Sequence, residues 1–132
     1  MSITTLRTTS TTNSYTSQAL KKDIKMSFLE LTYTSNATVG NRQIRAILYN
    51  NLGEALWTSR AGAVQAASLI RDYEWMSGVY REAAFIDGSI QIPFPTGIVI
   101  QANQYFKVYD SNNIAAGDSM VISMQYSDVS QY

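Results

Sequence analysis

Asp72 and Glu74 stand two residues apart, so on a strand both carboxylates share one face. A carboxylate pair is the raw material of glycoside hydrolysis, but it needs a cleft between the two groups. No Gly-rich phosphate loop or nucleophile elbow accompanies it. A solvated strand face is the simpler account. Asp110, Asn112 and Asn113, with Asp118 nearby, could offer oxygens to calcium. The run lacks the spacing and the closing bidentate Glu of a calcium loop, and Asp and Asn in a β-turn explain it better. The chain has no His and no Cys. That excludes disulfides, zinc thiolate sites, Cys and Ser–His nucleophiles and an imidazole base. No catalytic residue, metal ligand or cofactor is expected, and the chain is expected not to be an enzyme.

Recognition is the remaining chemistry. Nine Tyr, two Trp and four Phe make up 11% of the residues. Trp57, Tyr73, Trp75 and Tyr80 are the candidates for an aromatic interface, able to stack on a sugar or anchor a protein contact. The competing reading puts them in the core or in cross-strand pairs. Sparse charge with many Tyr, Thr, Ser, Asn and Gln suits a broad interface, because such groups pair without heavy desolvation cost.

The elements that must position these groups follow from length and patterning. A chain of 132 residues, 45% apolar, suits one domain with its own core. Ten basic residues balance ten acidic ones, and the pI is near 6.2. This gives no case for a nucleic-acid partner, and Lys21, Lys22 and Lys25 form only a short solvated cluster. No apolar run reaches the ~18 residues of a membrane helix, and the first 20 residues contain no signal-peptide core. A soluble protein with no membrane partner, outside the classical export route, is expected.

Ser and Thr fill eleven of the first 17 positions. Such a segment buries too little apolar area to offset its chain entropy, although Thr-rich sequence is β-competent. Residues 1–22 are therefore read as an extended N-terminal arm, dispensable for folding but used for attachment, with Ile3, Leu6 and Tyr15 as its apolar anchors. Residues 23–132 form the single ordered domain. Ile24, Met26 and Phe28 alternate, then Leu29, Leu31 and Tyr33 alternate in the opposite phase, which predicts a bulge at Phe28-Leu29. Further strands are predicted over residues 42–49, 54–58, 68–75, 89–94, 98–101, 104–109 and 119–126. Asn50-Asn51-Leu52-Gly53 reads as a hairpin turn, and Pro93 confines its strand to an edge or an end. Ala63–Ala67 could form one helical turn. Turn signals recurring every ~8–12 residues mark an all-β sandwich or barrel, and without βαβ alternation a parallel sheet is not expected.

The segment Leu31–Arg42, the Asn51-Leu52-Gly53 hairpin, Ala66-Ala67-Ser68 with Tyr73 downstream, and the turns Pro95-Thr96-Gly97 and Ile114–Asp118 resemble small proteins from the structural-gene blocks of tailed bacteriophages. The resemblance spans about residues 27–126. It implies an antiparallel jelly-roll-like β-sandwich and a virion component, with capsid cement or decoration as the nearest role. The implied partner is the major capsid protein; because an isolated surface must close against itself or a partner, copies of the chain are also expected to assemble, as a trimer or dimer. The implied place is the capsid surface, after synthesis in the bacterial host cytoplasm. A head–tail connector or tail protein is the variant of that reading. A glycan-binding β-sandwich with Trp57 or Trp75 as platform is the alternative of another class.

Overall fold

A computed structural model of the chain describes residues 4–17, 20, 23–94, 99–115 and 117–128. They form ten strands: β1 Thr4–Ser10, β2 Ser14–Thr16, β3 Ile24–Thr34, β4 Ile44–Tyr49, β5 Ala55–Arg60, β6 Ile70–Met76, β7 Ser89–Pro93, β8 Val99–Ile100, β9 Tyr105–Asp110 and β10 Ser119–Asp128. No helix occurs among the described residues. Ala63–Ala67, read as a possible helical turn, is loop, tied to the β4 approach by a bridge between Arg42 and Gln65.

The strands make two sheets. The first has the order β1-β10-β3-β6-β7, with β8 pairing the start of β3; the second has the order β2-β9-β4-β5. Four pairings nest inside one another along the chain: β4 with β5, β3 with β6, β2 with β9 and β1 with β10. A long antiparallel ribbon folded over on itself produces this nesting, and its eight strands are those of a double-sheet jelly roll. β7 and β8 are additions between β6 and β9.

The start of the chain is laid differently from an arm standing apart at residues 1–22. Thr4–Ser10 pairs in register with Met120–Tyr126, and Ser14–Thr16 pairs with Lys107–Tyr109. These are outermost strands, one on each sheet. An edge strand forms its ladder with the backbone of one neighbour and needs few apolar side chains of its own. That is how a Ser/Thr-rich stretch enters the sandwich.

The phase change in β3 is real and lies one residue earlier than the sequence indicates. Gln125 opposes Phe28 and Tyr126 opposes Met26, so Ser27 is the additional residue. The bulge lets Ile24 and Met26 face the core before it, and Leu29, Leu31 and Tyr33 after it. One pair departs from the antiparallel expectation: β7 runs parallel to β6. The connection spans residues 77–88, about the dozen residues that a parallel return requires without any helix. It closes on Asp87-Gly88, both at positive φ, with Ile86 and Ser89 exchanging two hydrogen bonds, the form of a tight hairpin turn. Pro93 ends β7, the outer strand of its sheet, where its missing N–H costs no ladder bond.

The core lies between the sheets. Leu29, Leu31, Ile44, Leu48, Ile90, Ile92, Phe106, Val108, Ile122 and Met124 alternate inward from their strands. At the β5–β7 side, Trp57 meets Phe94 edge-on at 6.1 Å.

Candidate functional site

Antiparallel register brings three loops to one end of the sandwich: residues 35–43, 61–69 and 111–118. A polar cluster ties them together beneath the surface. Arg42 precedes β4 in phase with Ile44 and Leu48, and Asp118 precedes β10 in phase with Met120 and Ile122, so both charges point inward. Their side chains are 0% exposed and meet at 2.9 Å from Arg42 Nε to Asp118 Oδ2.

Every remaining valence of the pair is used. Arg42 Nη1 donates to the carbonyls of Thr38 and Gly40 at 2.9 and 2.7 Å, and Nη2 donates to Asn36 Oδ1 at 3.0 Å. Asp118 also accepts from the Tyr33 hydroxyl at 2.7 Å and from the Asn36 N–H at 2.8 Å. Burial alone would raise the Asp118 carboxyl, but the hydrogen bonds from Arg42, Asn36 and Tyr33 bring it below the usual carboxylate range. Burial and the neighbouring carboxylate push the Tyr33 phenol well above its ordinary value. Gln65 extends the cluster, donating to the Tyr33 and Leu69 carbonyls and accepting from the Tyr73 hydroxyl. A fully paired buried ion pair has no group left for catalysis; it holds the 35–43 and 111–118 loops together, while Gln65 and Ser35 tie in the 61–69 loop.

Those loops carry apolar side chains into solvent. Val39 is 90% exposed and Ile70, at the first position of β6, is 62% exposed, with Val64 also exposed. The loops that bear them are joined directly: Ser68 N–H donates to the Asn36 carbonyl and Ser35 Oγ to the Ala66 carbonyl. Gly40, at φ +142°, closes against Ile114, where a Cβ would stand 2.9 Å from two of its carbons. The result is a hydrogen-bonded tip that displays Val39 and Val64 on its loops and Ile70 at the adjoining start of β6.

The residues singled out from sequence fall in different places. Ile3 lies outside the described residues, and Leu6 is a position in β1 whose side chain is not described. Tyr15 packs on the core from β2, with its ring 6.1 Å from Phe106. Tyr73 and Trp75 are both 0% exposed and stack at 6.1 Å inside the sandwich. Trp57 is half-buried against Phe94, and Tyr80 is 92% exposed on the β6–β7 connection. The four aromatics therefore form no common surface. Tyr73 and Trp75 take the core alternative because they are in phase with Leu29 and Leu31 across the β3–β6 ladder.

The acidic candidates are also settled in place. Asp110 spends its oxygens on the N–H groups of Gln43, Asn112 and Ile114, capping a turn. Asp72 accepts from the Thr32 hydroxyl at 2.7 Å on the open outer face of β6, which Glu74 shares.

A scan against protein-family models finds no match, and a search of curated proteins finds none. Among solved structures, the chain is similar to one from infectious bursal disease virus, Gx strain, at 11% identity and a TM-score of 0.39 over 98% of this chain and 33% of that one. It is similar to tomato aspermy virus at 12% identity and a TM-score of 0.37, covering 98% of this chain and 79% of the other. A VP2 subviral particle of infectious bursal disease virus gives 11% identity and a TM-score of 0.37, over 98% and 34%. The chain spans about a third of the length of these bursal disease virus chains. The jelly-roll assignment itself rests on the strand order within this chain.

Proposed function

We propose that the chain is a non-enzymatic virion structural protein that sits on the capsid of a tailed bacteriophage and bridges neighbouring capsid subunits. The observation that carries this reading is the apolar tip. Exposed Val39 sits on the loop that the Arg42–Asp118 pair fixes, Val64 on the loop that Gln65 ties to it, and Ile70 at the start of β6. Apolar groups displayed on a fixed framework suit a protein contact, since less backbone ordering entropy is lost when the contact forms. Jelly rolls serve as capsid domains, as lectins and as cupins. Cupin-type metal chemistry would want His ligands, and the chain has none. The glycan reading loses Trp75, which is 0% exposed. Many copies on a closed shell would each add a small contact, and their sum resists expansion of the shell.

The test is Val39→Asp with Ile70→Asp, measured for binding to capsids purified without this protein. The reading expects unchanged melting and binding reduced by about tenfold or more, as for loss of anchor residues at a contact. Full binding by the variant would remove the tip from the interface.

A further inference from the structure

The chain is neutral in total, yet its two outer faces are of opposite sign. On the second sheet, Phe106 and Val108 point inward, so Tyr105, Lys107 and Tyr109 of β9 point out. Beside them on β4 and β5 stand Arg45, Tyr49 and Arg60. Tyr49 and Tyr105 stack at 5.1 Å, and Lys107 lies 4.3 Å over the Tyr109 ring. On the first sheet, Leu29, Leu31, Tyr73 and Trp75 point inward, which puts Glu30, Asp72 and Glu74 outside. Glu82 adds a carboxylate at the β7 edge, where it accepts from the Gln91 N–H. Two cations, Arg7 of β1 opposite Ser123 and exposed Lys25 near the start of β3, lie on the same face away from the carboxylates.

Each face also holds a cross-strand like-charge pair, neither member of which makes a salt bridge among the described residues. Arg45 lies directly opposite Arg60 in the β4–β5 ladder, and Glu30 directly opposite Glu74 in the β3–β6 ladder. Like charges at such positions destabilise a sheet. Arg45 Nε is buried without a hydrogen-bond partner among the described residues. Burial, then Glu30, Asp72 and Glu82, hold the Glu74 carboxyl above its ordinary value.

We infer that the Arg45–Arg60–Lys107 face of one copy docks on the Glu30–Asp72–Glu74 face of a second copy, so that the sandwiches stack head to tail. This inference rests on the assembly reading above; its acidic face adjoins Ile70, which shares the outward phase of Asp72 and Glu74 on β6, whereas Val39 and the basic face lie apart from it. Opposite charge supplies the register, and the tyrosines supply flat area that desolvates cheaply. Such a contact uses different patches on the two partners, so it propagates into a ring or a row rather than closing as a two-fold dimer.

The experiment uses two charge-reversed full-length chains, Arg60→Glu with Lys107→Glu, and Glu30→Lys with Glu74→Lys. Sedimentation velocity is run at low and high salt, with circular dichroism reporting the fold of each. The unaltered chain should associate at low salt and dissociate when the Debye length falls to ~3 Å. Each variant alone should associate at least ~10-fold more weakly, and an equimolar mixture of the two should regain association. The milder pair Arg60→Gln with Lys107→Gln stands in if a reversal unfolds the chain, and should also weaken association. A salt-insensitive monomer, variants that associate like the parent, or a mixture that stays apart would each overturn the stack. So would an acidic polysaccharide that binds the tyrosine face of a chain that does not self-associate. Stacking that fails while capsid binding through Val39 and Ile70 persists would overturn this inference alone. Lost capsid binding with intact stacking would overturn the proposed function instead.

Discussion

Arg42→Met tests the polar cluster as the fastener of the tip. Methionine keeps much of the side-chain volume but removes a guanidinium that makes contacts to Asp118, Thr38, Gly40 and Asn36. The Asp118 carboxylate, 0% exposed, would keep only the Tyr33 hydroxyl and the Asn36 N–H. Removing one member of a buried pair costs about 3–5 kcal/mol, because the other is left as an uncompensated buried charge. For a domain of this size that is a fall of roughly 10–20 °C in Tm. Urea unfolding, followed by tryptophan fluorescence, measures it. The double variant Arg42→Met with Asp118→Leu leaves no stranded charge and should recover much of the loss. A loss below about 1 kcal/mol for Arg42→Met would refute the reasoning, since surface ion pairs are worth that little. Additivity of the two changes would refute it equally.

Acid should unfasten the same cluster. Asp118 has its folded pKa depressed, so it stabilises the fold fully above the unfolded Asp value of ~3.9 and loses that contribution as pH falls through the folded value. Stability measured from pH 6 down to pH 2 should drop below about pH 4, and the drop should be smaller in the Asp118→Leu double variant. Trp75→Ala should cost about 3–5 kcal/mol, since Trp75 is wholly buried, whereas Tyr80→Ala, at a site 92% exposed, should shift stability by less than ~0.5 kcal/mol; thermal melts of both decide whether the aromatics act as core or as surface. Deleting residues 1–17 removes both edge strands and the Tyr15–Phe106 contact, so melting should fall by an amount worth at least the ~2 kcal/mol of burying one large apolar side chain. Unchanged melting would mean that the segment acts as a detachable arm.

What could be read from the sequence follows from what a period of two carries. Strand positions, the β3 bulge and the β4–β5 hairpin are local patterns, and they appear within a residue or two of where alternation puts them. Which strand lies beside which is non-local, so the nesting of β1 on β10 and β2 on β9 had no signal in either segment alone. Composition marked the first 17 residues as poor in apolar side chains, but an edge strand needs only a neighbour's backbone and one anchor such as Tyr15. The Arg42–Asp118 pair did leave a trace. Extending the inward set Ile44, Ala46, Leu48 back by two reaches Arg42, and extending Met120, Ile122, Met124 back by two reaches Asp118. A lone charge in phase with a buried face must find a partner, and two such charges of opposite sign name each other. The polarity of the faces could not be seen in a net charge of zero, because sign is segregated only once strands are assigned to sheets.

Cryo-electron density of tailed-phage particles purified from cells that make this chain tests the proposed role most directly. The protein should stay with the particles through a density gradient, and two-layered sandwich density should lie over the joints between capsid subunits, with Val39 and Ile70 against the shell. Particles of full density that lack the protein, or density confined to another part of the virion, would contradict it.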